Sequence, residues 1–212
     1  MAKISILITD DHLLVREAWS FILNTDPRFK VVAEAGSGEA AVELARQLCP
    51  DVVTLDINMP GMNGIETAAL IRKSSPSTKV LGVSMHTQPA YVRKMLQNGV
   101  MGYVTKNSSR EEMCKAIIEI HGNRKYICDE IKNILSDHMV RGEEKSGFND
   151  LSGREIEVIE FIKKGYSSKE IATPLGLSVK TVEAHRYNIL KKLKLRNTAA
   201  MINCVNNNQA FF

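Results

Sequence analysis

Two hydrophobic periodicities alternate over roughly the first 120 residues. Lys3–Thr9 is a short apolar run rich in β-branched residues, and it stops at Asp10-Asp11. His12–Asn24 then sets Leu13, Leu14, Ala18, Phe21 and Ile22 at helical spacing, with Asp26-Pro27 as the stop. The alternation recurs four more times. Strand-like runs fall at Val31–Ala35, Val52–Leu55, Val80–Val83 and Gly102–Thr105, and helix-like stretches at Glu39–Leu48, Gly64–Lys73, Ala90–Asn98 and Arg110–His121.

Strands that are apolar on both faces, each followed by a helix, predict a parallel sheet covered on both sides. Five such units fit an open, doubly wound α/β sheet and are too few for an eight-fold barrel. Ligands in such sheets sit beyond the carboxyl ends of the strands, near the switch point in strand order. From Gly122 to Gly147 the pattern fades into one candidate helix, Glu130–Val140, and a polar, glycine-flanked stretch, Arg141–Gly147. Beyond Asp150 there is no strand signal, and helices are expected over Leu151–Lys164, Lys169–Leu175, Val179–Leu193 and Thr198–Asn206. The expected division is a domain over 1–122, a linker over 123–147 with a possible helix, and an all-α domain over 148–212.

Charge sharpens that division. The 212 residues carry 28 Lys and Arg against 24 Asp and Glu, a formal net charge of +4. Residues 1–122 hold 13 basic and 13 acidic residues, 123–145 hold 5 and 5, and 146–212 hold 10 and 6. The whole excess lies in the last third, which points to a separate piece that meets a polyanion. No apolar run approaches the ~20 residues of a membrane span, and an acidic pair arrives too early for a signal peptide. The four cysteines (Cys49, Cys114, Cys128 and Cys204) are scattered, indicating neither a zinc site nor a disulfide framework. A reduced cytoplasm is the expected location.

The candidate chemistry lies at the strand ends. The first strand delivers Asp10 and Asp11, the third Asp56, the fourth Ser84 and the fifth Lys106. With the first and third strands adjacent, three carboxylates converge, and they cannot all stay ionised without a cation. An oxygen-rich site of this kind suits Mg²⁺. A single strand-end aspartate is readily explained as a helix cap, but four strand ends contributing together are not. A carboxylate beside a cation, a hydroxyl and a lysine has what a phosphoryl acceptor needs.

These residues resemble the receiver domain of two-component response regulators. The resemblance rests on Asp10-Asp11, on the run from Leu55 to Gly64, on Val83-Ser84-Met85 and on Gly102–Lys106, and it covers residues 3 to about 121. It implies a flavodoxin/CheY-like five-stranded sheet of order 2-1-3-4-5. By this resemblance Asp56 accepts a phosphoryl group from a sensor histidine kinase. Mg²⁺, with Mn²⁺ as a substitute, is held by Asp11, Asp56 and the Asn58 backbone carbonyl, with Asp10 acting mainly through water. Lys106 pairs with the acyl phosphate, Ser84 is the switch hydroxyl, and Tyr103 turns inward when Ser84 moves. Tyr103 is also readable as a strand aromatic packed on a helix. His86, two residues after Ser84, either sets the lifetime of the phosphorylated state or is an idle, solvated side chain.

In the helical part, Ser152 and Glu155 form a capping-box signature ahead of an apolar face of Ile156, Val158, Ile159 and Ile162. Two helices joined by Gly176-Leu177-Ser178 make a helix-turn-helix. Lys180, His185, Arg186, Lys191, Lys192 and Lys194 set cations on and around the second helix, and Lys169 lies at the start of the first. Such groups suit phosphates beside a major groove, although a solvated basic face looks the same.

Leu151–Glu155, Gly165–Ala172, Leu177–His185 and Ile189–Leu193 resemble the LuxR-type helix-turn-helix, over residues 150 to about 205. Pro174 departs from the pattern by removing a donor late in the first helix. The resemblance implies double-stranded DNA as partner, with Glu183, Ala184 and Tyr187 toward bases and Lys169, Lys180, Thr181 and Lys191 on phosphates, beside His185. Thr198–Asn206 is either the dimer seam or an intradomain packing helix.

A receiver joined to such a unit is the layout of NarL/FixJ-type response regulators, which implies a transcription factor and not an enzyme. The competing readings are a regulator that works without phosphorylation and a haloacid-dehalogenase-like phosphatase. The phosphatase normally carries a second aspartate two residues after the nucleophile, where this chain has Asn58.

Overall fold

The computed structural model describes residues 2–85, 89–140 and 150–207. His86 and the expected polar linker Arg141–Gly147 lie outside the described residues. The chain forms two compact units, Met1–Thr87 with Met95–Lys132 and Gln88–Lys94 with Asn133–Phe212.

The first unit is the alternating α/β part. Its strands are β1 (Ile4–Thr9), β2 (Phe29–Ala35), β3 (Val52–Asp56), β4 (Lys79–Ser84), β5 (Gly102–Thr105) and β6 (Tyr126–Ile127). All pair in parallel, in the order 2-1-3-4-5-6. The switch point falls between β1 and β3, as a doubly wound sheet requires.

The sixth strand corrects the expected five. The Tyr126 and Cys128 amides donate to Met101 and Tyr103 carbonyls at 3.1 and 3.0 Å, so a two-residue strand covers the open edge of β5. At two residues it carries no periodicity of its own, and the sequence pattern assigned it to the linker.

Between the strands run α1 (Leu13–Asn24), α2 (Gly38–Leu48), α3 (Gly64–Ser74), α4 (Pro89–Gln97), α5 (Arg110–His121) and, after β6, α6 (Asp129–Val140). Ser37, Asn63 and Ser109 cap α2, α3 and α5 by accepting amides three residues on. At Gly64 an added Cβ would lie 2.6 Å from Ile57 Cα, so only glycine lets α3 start this close to the end of β3.

The expected first helix forms but buries little of its apolar surface. Leu13, Leu14, Ala18 and Phe21 point to solvent, with Leu14 79% and Phe21 74% exposed. Leu23 is its one buried residue, and Val15, Trp19 and Ile22 are half-buried. Apolar residues surround this helix on most sides, so periodicity alone does not select the inward face.

The second unit is helical from Gly153 onward: α7 (Gly153–Lys163), α8 (Ser168–Leu175), α9 (Val179–Lys192) and α10 (Thr198–Asn207). Leu151, Ile156, Val158, Ile159, Ile162, Ile171, Leu175, Val182, Ile189, Met201 and Val205 are buried and form its core.

Candidate functional site

The carboxyl ends of β1, β3, β4 and β5 build the acidic site. β5 runs on beside β4 through the Lys106 amide, which donates to the Ser84 carbonyl at 2.9 Å and holds Lys106 at the strand end. Its Nζ donates to Asp10 Oδ2 and to Asp56 Oδ2, each at 2.8 Å. The Asn58 amide donates to the other Asp56 oxygen at 3.0 Å. Asp56 is only 1% exposed and Asp10 is also buried.

His12, which the sequence pattern treated as the first residue of a helix, joins this group. Its amide donates to Asp10 at 2.9 Å, and its Nδ1 lies 3.0 Å from Asp10 and 2.9 Å from Asp11. One potential ligand atom from each of Asp10, Asp11, His12 and Asp56 falls within 4.8 Å of the others. A histidine directly after two strand-end aspartates was the available signal.

Opposing effects set the charge states. Burial pushes the Asp56 carboxyl above its ordinary range, and the Asn58 amide and Lys106 only partly offset this. Burial alone would lower Lys106, but hydrogen bonds to Asp10 and Asp56 outweigh it and hold the ammonium above its usual value. The Asp11 Oδ1 is buried and, although the His12 Nδ1 lies 2.9 Å away, accepts no well-aligned hydrogen bond.

A desolvated carboxylate oxygen beside two further carboxylates fits a hard cation with oxygen ligands, so Asp10, Asp11 and Asp56 suit Mg²⁺. The Ser84 and Tyr103 side chains are fully buried. They share a hydrogen bond, and burial drives the Tyr103 phenol well above its ordinary range.

The helical unit offers a different surface. Capping boxes start both α7 (Ser152 with Glu155) and α8 (Ser167 with Glu170). Pro174 stays inside α8, which closes at Gly176 with φ +62°, a left-handed turn suited to glycine. Ser178 then caps α9 by accepting the Thr181 amide at 3.1 Å.

Val182 and Ile189 face inward on α9, while Lys180, Glu183, Ala184, Tyr187, Asn188 and Lys191 are exposed together. Asn188 was not among the residues singled out from sequence, although it sits one turn beyond Ala184. Thr181 and His185 are half-buried, and Lys169 is exposed near the start of α8.

Two expected surface cations are engaged inside the unit. Lys192 donates to Glu155 at 2.7 Å, and Arg186 reaches Thr198 at 3.4 Å. Met201 and Val205 of α10 are buried within the unit, while Ala199 stays exposed.

The described part contains no helix long and apolar enough to cross a membrane. A family model for the response regulator receiver domain matches residues 6–118, and one for bacterial regulatory proteins of the luxR family matches residues 149–205. The chain is 37% identical over 204 residues to the oxygen regulatory protein NreC of Staphylococcus carnosus, covering 93% of this chain and 94% of that one. It is 34% identical over 200 residues to the transcriptional regulatory protein MctR of Rhizobium johnstonii, covering 94% and 92%. Among solved structures, the RcsB response regulator of Salmonella typhimurium matches with a TM-score of 0.63 and 25% identity, over 98% of this chain and 100% of that one.

Proposed function

The chain belongs to the response regulators that join a receiver domain to a LuxR-type DNA-binding domain, and from that premise we propose that phosphorylation of Asp56 controls its binding to promoter DNA. The observation that carries this reading is the Lys106 ammonium bridging Asp10 and Asp56 at 2.8 Å each, in a chain that also holds an exposed helix-turn-helix face.

In this reading residues 1–122 are the phosphoacceptor domain, 123–147 the linker and 148–212 the DNA-binding domain. A sensor histidine kinase presents a phosphohistidine. One Asp56 oxygen forms a bond to phosphorus as the phosphorus–nitrogen bond breaks, and the imidazole leaves. Lys106 then pairs with the phosphoryl oxygens, and Asp11, Asp56 and the Asn58 carbonyl would hold Mg²⁺ or Mn²⁺, with Asp10 acting through water. When bound there, the cation would supply positive charge to neutralise the oxygens of the transferred group.

Rearrangement of Ser84 and Tyr103 shifts an equilibrium that already exists in the unphosphorylated protein. The output is double-stranded DNA, met by a homodimer in the cytoplasm. Glu183, Ala184 and Tyr187 face bases, and Lys169, Lys180, Thr181 and Lys191 engage phosphates, with His185 beside them. Chemistry at Asp56 is confined to its own phosphorylation and dephosphorylation.

Acetyl phosphate with Mg²⁺ tests this directly. Intact-mass spectrometry is expected to show a single phosphoryl adduct, absent from Asp56→Asn, together with altered DNA affinity. Rapid multiple turnover instead of an adduct would indicate a phosphatase, and an unchanged mass would indicate a regulator that works without phosphorylation.

A further inference from the structure

His12 is the N-cap residue of α1, but its side chain makes no cap hydrogen bond to that helix. The ring turns back over the acidic site instead. The His12 amide donates to Asp10 Oδ1 at 2.9 Å and fixes that turn. The ring Nδ1 then stands 3.0 Å from Asp10 Oδ1 and 2.9 Å from Asp11 Oδ1.

Of these two approaches, the one to Asp10 is a hydrogen bond. A ring nitrogen has one proton at most to give, and the buried Asp11 Oδ1 stays unsatisfied although the nitrogen lies beside it. Leaving a buried carboxylate oxygen unpaired is costly, and a cation shared with the imidazole would relieve it. Lys106 does not fill that place, because its ammonium is bound to the Oδ2 atoms of Asp10 and Asp56.

The spacing suits such a cation. Neighbouring ligands at right angles around an ion bound at ~2.1 Å stand about 3.0 Å apart, which matches the separation of Nδ1 from both oxygens. One potential ligand atom of Asp56 lies within 4.8 Å of those of Asp10, Asp11 and His12, a reach that includes ligands on opposite sides of the same ion.

The donor set then selects the metal. Mg²⁺ takes oxygen ligands and keeps several waters, whereas imidazole nitrogen suits first-row transition metals. We propose that His12 is a nitrogen ligand of the acidic site and makes it favour a first-row transition-metal dication over Mg²⁺. The proposal rests on the reading of Asp10, Asp11 and Asp56 as a cation site, and it holds whether or not a phosphoryl group is transferred.

Mn²⁺ is the probe, used with the full-length protein. Pulsed electron paramagnetic resonance is expected to show a directly coordinated imidazole nitrogen that disappears in His12→Gln. Calorimetric titrations with Mn²⁺ and with Mg²⁺ give the ratio of the two affinities. In His12→Gln that ratio is expected to fall about ten-fold or more, since losing even an outer partner of a ligand costs ~10–100-fold in metal affinity. The ring is 65% exposed, so the substitution removes little packing, and thermal unfolding without metal verifies the fold. Bound Mn²⁺ with no coupled nitrogen in the wild-type protein overturns the proposal and leaves an all-oxygen site standing. A nitrogen signal that survives in His12→Gln, or an unchanged affinity ratio, overturns it too. Protein that binds neither ion overturns it together with the cation reading, whereas a missing phosphoryl adduct counts only against phosphoryl transfer.

Discussion

The two ends of the molecule handle charge in opposite ways. The acidic site packs Asp10 and Asp56 out of water against a part-buried Lys106, where each charge depends on the others. The exposed face of α9 spreads Lys180, Glu183 and Lys191 into solvent, where each acts nearly alone. Desolvated charges are strongly coupled and individually costly to lose, whereas exposed ones are weak, additive and screened by salt. A switch that responds to one phosphoryl group needs the first regime. A surface that tracks a polyanion needs the second.

Deleting Lys106 tests the coupled end with the largest expected effect. In Lys106→Met, Asp10 and Asp56 would face each other with no cation between them. We expect a loss of about 3 kcal/mol or more in urea unfolding without divalent ions, as for other broken buried pairs. Millimolar Mg²⁺ should recover part of it by supplying the missing positive charge. An unchanged midpoint would show that the pocket already holds a neutral aspartic acid, and the contrast between the two ends would weaken.

That contrast was only partly legible in the sequence. The strand-end carboxylates could be read because each follows a short apolar run, and a parallel sheet gathers all such ends on one side. His12 was missed because it directly precedes a helical pattern, and only the folded turn brings its ring to Asp10 and Asp11. β6 was missed because two residues paired to β5 carry no periodicity. The facing of α1 was not legible, because Leu13, Leu14 and Phe21 share a helical spacing with the half-buried Val15, Trp19 and Ile22. In α9 the count of cations was right, but counting does not show which are engaged internally. Lys192 and Arg186 turn to Glu155 and Thr198.

Asp26 provides an intermediate case within the first unit. Its carboxylate is buried while its partner Arg28 is about half exposed, and the pair meets at 2.6 Å. The hydrogen bond from Arg28 outweighs burial and lowers the Asp26 pKa from 3.8 to about 2. A depressed carboxyl stabilises the fold above its unfolded value near 3.8, and that stability is lost as the pH falls through about 2. Asp26→Asn should therefore cost at most about 2 kcal/mol at neutral pH, an upper bound because Arg28 is screened by solvent. The wild-type and variant stabilities should converge as the pH drops from 4 toward 2. Denaturant midpoints at several pH values measure this, and a difference that persists unchanged at pH 2 would assign the effect to packing.

The smallest effects separate two lysines of one helix. Lys180 is exposed at the start of α9, whereas Lys192 near its end donates to a Glu155 that also closes the α7 capping box. Burial would raise the Glu155 carboxyl, but Lys192 and Ser152 outweigh it and hold the carboxyl below its usual range. Lys192→Met should thus lower unfolding stability by about 1 kcal/mol and leave the salt dependence of DNA binding alone. Lys180→Ala should do the reverse. Its unfolding midpoint should stay put, its affinity should fall across all DNA sequences, and the slope of log affinity against log salt should flatten by about one unit. If Lys192→Met flattened the slope instead, the Glu155 pairing would have to open on DNA, and that lysine would count among the phosphate contacts.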